Sequence, residues 1–178
     1  DRRRGEVVRR PFPAQWERWL GEYVPQTQRM PAALLENMRV YMRIFLDEIT
    51  FVRADGVPVE ELQRVVIAGR ACMLICGQIS ECFPHLGLVV VHPHEIGVED
   101  HPEVQIAGLS VQHNPYSMRR TGRVDIVWEH AIRDGRMGRK GTNVVVHEFA
   151  HQLDSEDGRV DGIPVLEAGV HSVDEWTA

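Results

Sequence analysis

The stretch Val144-Val145-Val146-His147-Glu148-Phe149-Ala150-His151-Gln152-Leu153-Asp154 constrains the fold more than any other part of the chain. Its two histidines stand four residues apart. At about 100° of turn per residue, that spacing puts both imidazoles on one helix face, one turn above the other, within reach of a single ion. Glu148 lies at the edge of that face, where a carboxylate reaches a water beside the metal without being a ligand itself. Three valines precede the motif, and Phe149, Ala150 and Leu153 fill the other sides. A helix apolar nearly all round is expected to be buried. Burying two imidazoles and a carboxylate costs roughly 2–7 kcal/mol per polar group unless partners satisfy them, and a divalent metal is one such partner.

A catalytic zinc site takes three protein ligands and keeps one position open. His147 and His151 supply two of them. Glu148 is the candidate general base, taking a proton from the attacking water and passing it to a leaving amine. The third ligand stays open. Asp157 holds the position used in H-E-x-x-H-x-x-G-x-x-H enzymes, but those enzymes turn on a glycine where this chain has Asp154. Asp154 is itself seven residues after His147 on the same helix face, better placed to accept a hydrogen bond from a ligand imidazole than to bind metal. No spacing selects among Glu167, His171, Asp174 and Glu175. The favoured reading is a carboxylate beyond Ala178. The chain opens at Asp1 and closes soon after the motif, so it reads as one domain over residues 1–178, cut short at its C-terminal end.

With 178 residues, 43% of them hydrophobic, the chain can build one proper core. A net charge of −6 and a pI near 5.8 argue against a nucleic-acid partner. The opening arginines (Arg2, Arg3, Arg4, Arg9, Arg10) read as a solvated end. No apolar run approaches the roughly 18 residues of a membrane span, and no signal-peptide pattern opens the chain. Three cysteines, Cys72, Cys76 and Cys82, are an odd number that does not suggest a disulfide scaffold, so a reducing cytoplasm is expected.

The rest of the chain reads as α+β, with a helical N-terminal part and a small mixed sheet. Residues 14–23 form a short helix ended by Pro25, with Trp16, Trp19, Leu20 and Tyr23 on one stripe. A second helix opens at Pro31 and runs to about Phe51, burying a stripe that includes Met38, Met42, Phe45 and Ile49. A third follows Pro58, with Glu60 and Glu61 near its positive end, and continues to Ile79. Cys72 and Cys76, one turn apart on it, read as buried thiols rather than ligands. Gly87–Pro93 is a strand, with His92 and His94 at its exit as surface or loop histidines. Residues 97–121 read as loop with a strand near Val104–Val111. Gly122–Trp128 alternates as a half-buried strand, and residues 133–141 form a basic, glycine-rich loop. Thr142 or Asn143 caps the motif helix, which ends between Asp154 and Gly158. Helical structure could restart near Val173–Trp176.

Asn143 to Asp154, followed by Gly158 and Gly162-Ile163-Pro164, resembles the motif region of the Mlc titration factor A family of zinc-dependent peptidases. Arg10-Pro11-Phe12-Pro13, Ala68–Leu74, Val89–Pro93 and Gly122–Trp128 extend the resemblance over most of the chain. It implies a zincin-like α+β fold with a buried active-site helix and Zn2+ on His147 and His151. It also implies Glu148 as catalytic base and aminopeptidase-type activity on peptide or protein substrates. Relatives in enteric bacteria bind the glucose repressor Mlc. In that family the third ligand is a glutamate on a later helix, near a tyrosine that assists catalysis, and this chain stops before either. On zincin folds an edge strand beside the motif helix pairs with the substrate backbone, and Val124–Trp128 is the candidate here.

Two function classes result. One is a zinc metallopeptidase. The other is a regulatory binding protein that sequesters a transcriptional repressor and uses metal for structure or switching. A closed four-ligand site would favour the second and an open one the first.

Overall fold

Helix after helix in the N-terminal half is apolar on one stripe and must find a surface to cover it. The computed structural model describes residues 2–77, 81–94, 122–137 and 143–154. Over these the order is α1 (Arg2–Val8), α2 (Ala14–Tyr23), a 3-10 turn (Pro25–Arg29), α3 (Ala32–Glu48), β1 (Thr50–Arg53), α4 (Glu61–Ile75), β2 (Leu86–His92), β3 (Gly122–Val127), α5 (Trp128–Met137) and α6 (Val144–Asp154).

The sheet runs β1-β2-β3 and is parallel in both pairings, where a mixed sheet was expected. Parallel neighbours need long crossovers, and α4 lies in the connection from β1 to β2. Register settles the faces. Phe51, Val89 and Val124 are aligned, as are Val91 and Ile126; the four aliphatic residues belong to the main core and Phe51, half-buried, packs against it. Val52 and Val90 are buried on the opposite face. Gly122 permits the close start of β3: its N–H donates to the His85 carbonyl at 2.8 Å, and a Cβ there would lie 2.7 Å from that oxygen.

α4 is the hub, packing on α2, α3 and α6. A reciprocal capping box opens it, Glu60 accepting from the backbone of Gln63 while the Gln63 side chain accepts from the Glu60 N–H. Val65, Val66, Ile67, Ala68, Ala71, Cys72 and Ile75 have no exposed surface. Gly69 lets α2 approach, since a Cβ there would meet Leu20 Cδ2 at 2.5 Å. Arg70 sits among these apolar residues at 1% exposure. Its guanidinium donates to the carbonyl of Ala131 in α5 and, at 2.9 Å, to that of Tyr23, the last residue of α2. The Tyr23 carbonyl, at the C-terminus of α2, is one of those that lack an intrahelical partner and carry partial negative charge, so a cationic donor fits there.

Six expectations are corrected. The second helix stops at Glu48, and Thr50–Arg53 leaves it as a strand. The third helix begins at Glu61, inside its capping box, and ends at Ile75. Trp128 opens α5 instead of closing a strand, and residues 133–137 of the expected basic loop are helical. The arginine-rich start is not a free end. Arg3 Nε reaches Asp47 Oδ2 at 2.7 Å, and Arg4 makes a two-point pair with the buried Glu48, at 2.6 and 2.9 Å. That fork raises the Arg4 pKa, the Glu48 hydrogen bond outweighing burial. Lastly, His92 is buried rather than at the surface. The expected strand near Val104–Val111 and helix near Val173–Trp176 lie outside the described residues.

The cysteines behave as expected. Cys72, Cys76 and Cys82 are free and buried, and burial pushes the Cys72 thiol well above its usual range, with Cys82 adding to the effect.

Candidate metal centre

α6 is placed by aromatic packing. Phe149 is fully buried, with ring centroids 5.6 Å from Phe45 and 5.1 Å from Phe83. Val145, one turn earlier, is also fully buried. Phe83 takes a left-handed backbone (φ 42°), which is uncommon for a bulky residue, and the aromatic cluster holds it there. Asn143 caps α6 as expected: its Oδ1 accepts from the Val146 N–H at 3.2 Å.

With Phe149 turned into the core, the motif's polar residues face outward. His147 and His151 are exposed and Glu148 is half-buried. The expectation of a helix buried all round is thereby corrected, because the apolar residues cover one side and leave the histidine face open. The two imidazoles lie with Nε2 atoms 3.2 Å apart and rings nearly perpendicular at 81°. Two nitrogens at zinc-bond length in a tetrahedral shell stand about 3.3 Å apart, so the pair already has the bite of a zinc ligand set. Imidazole nitrogens are the donor type that zinc prefers, and the residues fit the ion.

Asp154, on the same side of the helix as His147, is 8% exposed, and its Oδ1 has no hydrogen-bond partner among the described residues. A buried carboxylate oxygen without a donor, at the negative end of a helix, is unfavourable until a donor or cation approaches. No group of three histidine, cysteine or acidic side chains that could hold a metal forms among the described residues. Asp154 therefore does not join the two histidines as a third ligand there. Asp157, Glu167, His171, Asp174 and Glu175 lie outside the described residues.

Beside α6 stands β3, the last strand of the described sheet, and the two elements pack together. Its outer residues carry a polar chain that residue spacing did not reveal. Asp125 accepts from Arg123 Nε at 2.7 Å and sits 2.7 Å from His92 Nε2 on β2. Burial raises the Asp125 pKa, but the hydrogen bonds from Arg123 and His92 outweigh it and hold the carboxyl below its ordinary value. An ionised Asp125 accepts only, so His92 Nε2 carries the proton. His94, expected beside it, is exposed, 3.7 Å from Glu129. No helix among the described residues is long and apolar enough to cross a membrane.

Comparison with known proteins agrees with the motif. An uncharacterized protein of Synechocystis sp., slr2042, is 28% identical over 171 residues, which is 93% of this chain. The chain spans 62% of that relative's length. A family model described as glucose-regulated metallo-peptidase M90 matches residues 1–178. With the match running from end to end and the paired imidazoles of α6 inside it, the chain belongs to the M90 family of metallopeptidases, the Mlc titration factor A family that its motif resembles.

Proposed function

We propose that the protein is a zinc-dependent peptidase of aminopeptidase type on a zincin-like fold. The observation that carries the reading is the His147–His151 pair, 3.2 Å apart on an open helix face with Glu148 next in sequence. The two imidazoles would hold the ion together with a carboxylate from beyond Ala178. Bound there, zinc would supply a water acidified to a pKa of about 7 and polarise the scissile carbonyl. Glu148 takes the proton from the attacking water and returns it to the departing amine. Asp154, whose Oδ1 has no partner among the described residues, would accept from the far nitrogen of a ligand imidazole once the ion is bound and so fix the ring. β3, the last strand of the sheet among the described residues, would offer its edge to an extended substrate backbone.

In the full-length protein Glu148→Gln should leave zinc stoichiometry intact and lower kcat by about 10^3-fold, within the range for a lost general base. Unchanged turnover would remove Glu148 from the mechanism.

The family's description as glucose-regulated favours a second activity alongside the first. In this role the protein binds a glucose-type transcriptional repressor in the cytoplasm, a setting that three buried free cysteines suit. Titrating the full-length protein with the purified repressor tests it, and no complex at micromolar concentration would discard it.

A further inference from the structure

A concave site lies on the helical side of the molecule, and none of its lining residues comes from β3 or α6. The pocket holds about 220 Å3 between the Arg10–Pro13 connection, Trp16 of α2, the α3 segment around Arg43 and Leu46, and the first turn of α4. Three guanidinium groups line it: Arg10, Arg43 and Arg64. The two carboxylates in the lining are already engaged, Asp47 by Arg3 at 2.7 Å and Glu61 by the Trp16 indole N–H at 2.8 Å. Arg64 spends one Nη on the Leu46 carbonyl at 3.1 Å. Arg43 lies against the Phe12 ring, 5.4 Å from its centroid, and has no ion pair among the described residues. The Nε–H groups of both Arg43 and Arg64 are buried with no acceptor among the described residues. Desolvated donors of a charged group without acceptors are unfavourable, and their number in one pocket calls for an anion.

The walls restrict which anion. Val7, Pro11, Pro13, Leu46, Val65 and the Trp16 ring are apolar, so an ion such as phosphate would satisfy the arginines and leave most of the surface unmatched. A planar carboxylate suits the guanidinium fork, and an aromatic or aliphatic body fills the rest. We propose that this pocket binds a small organic carboxylate, its head between Arg43 and Arg64 and its body on Trp16 and Leu46. Arg10, exposed at the rim, closes over the head. The site is independent of the metal and of the peptidase reading.

The test uses full-length protein and 3-phenylpropionate, with 3-phenylpropanol and inorganic phosphate as controls. Calorimetry should give saturable binding of 3-phenylpropionate, and the Arg43 and Arg64 Nε–H resonances should shift in nitrogen-edited NMR spectra. Arg43→Gln should weaken binding roughly tenfold and Arg10→Gln about threefold, losses on the scale of one charge-assisted contact. The rim variant keeps the test decisive if Arg43→Gln disturbs the fold. No saturation up to roughly 10 mM would overturn the proposal. Equal affinity in the wild type and Arg10→Gln, equal affinity for the alcohol, or binding of phosphate alone would each overturn it too.

Discussion

α4 and α6 look alike in sequence and do opposite things. Each is an apolar helix interrupted by polar residues. In α4 the two most buried interruptions are closed off inside the protein: Gln63 completes the capping box, and Arg70 is consumed by carbonyls of α2 and α5. In α6 they stay open. His147 and His151 have each other, the Asp154 oxygen has no partner among the described residues, and the histidines face outward. A polar residue in an apolar helix is thus structural when backbone groups nearby absorb its donors. It is a candidate for chemistry when they do not. Hydropathy alone does not separate the two cases.

The contrast can be broken by experiment, starting where the effect is largest. His147→Ala should weaken zinc binding more than about 100-fold, beyond what loss of an orienting partner costs. The same variant should shift the stability of the metal-free protein by no more than about 0.5 kcal/mol, as for an exposed residue. A destabilised apo-protein would mean that the histidine is structural after all. Arg70→Leu should do the reverse, lowering unfolding free energy in urea by about 3 kcal/mol through the carbonyls it leaves unpaired, with metal affinity kept. Gly69→Ala in α4 gains up to about 1 kcal/mol of helix propensity but drives a methyl into Leu20. A net loss of about 1 kcal/mol at the thermal midpoint is expected, and a stabilised variant would show that α2 can step aside. Asn143→Ala should cost a similar amount, about 1 kcal/mol, by uncapping α6.

The smallest effect concerns the strand beside α6. The Asp125 pKa is lowered on folding, so its contribution is present above the unfolded value near 3.9 and lost as pH falls through the folded one. Because Asp125 is 38% exposed, screening keeps this below about 1 kcal/mol. Wild type and Asp125→Asn should therefore differ in stability at neutral pH and converge as the pH falls through the lowered folded-state value. Parallel profiles would remove the ion pair from the account.

The motif helix was legible because its spacing carries geometry directly, and α2, the α3 stripe and β2 were legible by periodicity. What was missed depends on residues far away in sequence. Phe51 continues the stripe of Phe45 and Ile49, so nothing local marks where α3 gives way to β1. Gly135 and the surrounding arginines read as loop, while α5 is secured by the Ala131 carbonyl on Arg70, 61 residues away. His92 is buried because Asp125 answers it across 33 residues, and Arg3 and Arg4 are ordered by acids 44 residues on. The family resemblance carried the class of enzyme, while the open face of α6 required the placement of Phe149.

Phe149 sits in the middle of the motif and in the middle of the aromatic core, wedged against Phe45 and Phe83. The metal-binding face and the core therefore report on each other through linkage. An ion that binds only the folded helix stabilises it by an amount that grows with the logarithm of its concentration over its dissociation constant. Amide exchange in α6 should slow as metal is added, and the same protection should reach the neighbours of Phe45 on α3, which touch no ligand. Conversely, metal scarcity would be felt first as local opening of this one helix, which makes the fold's own stability a gauge of metal supply.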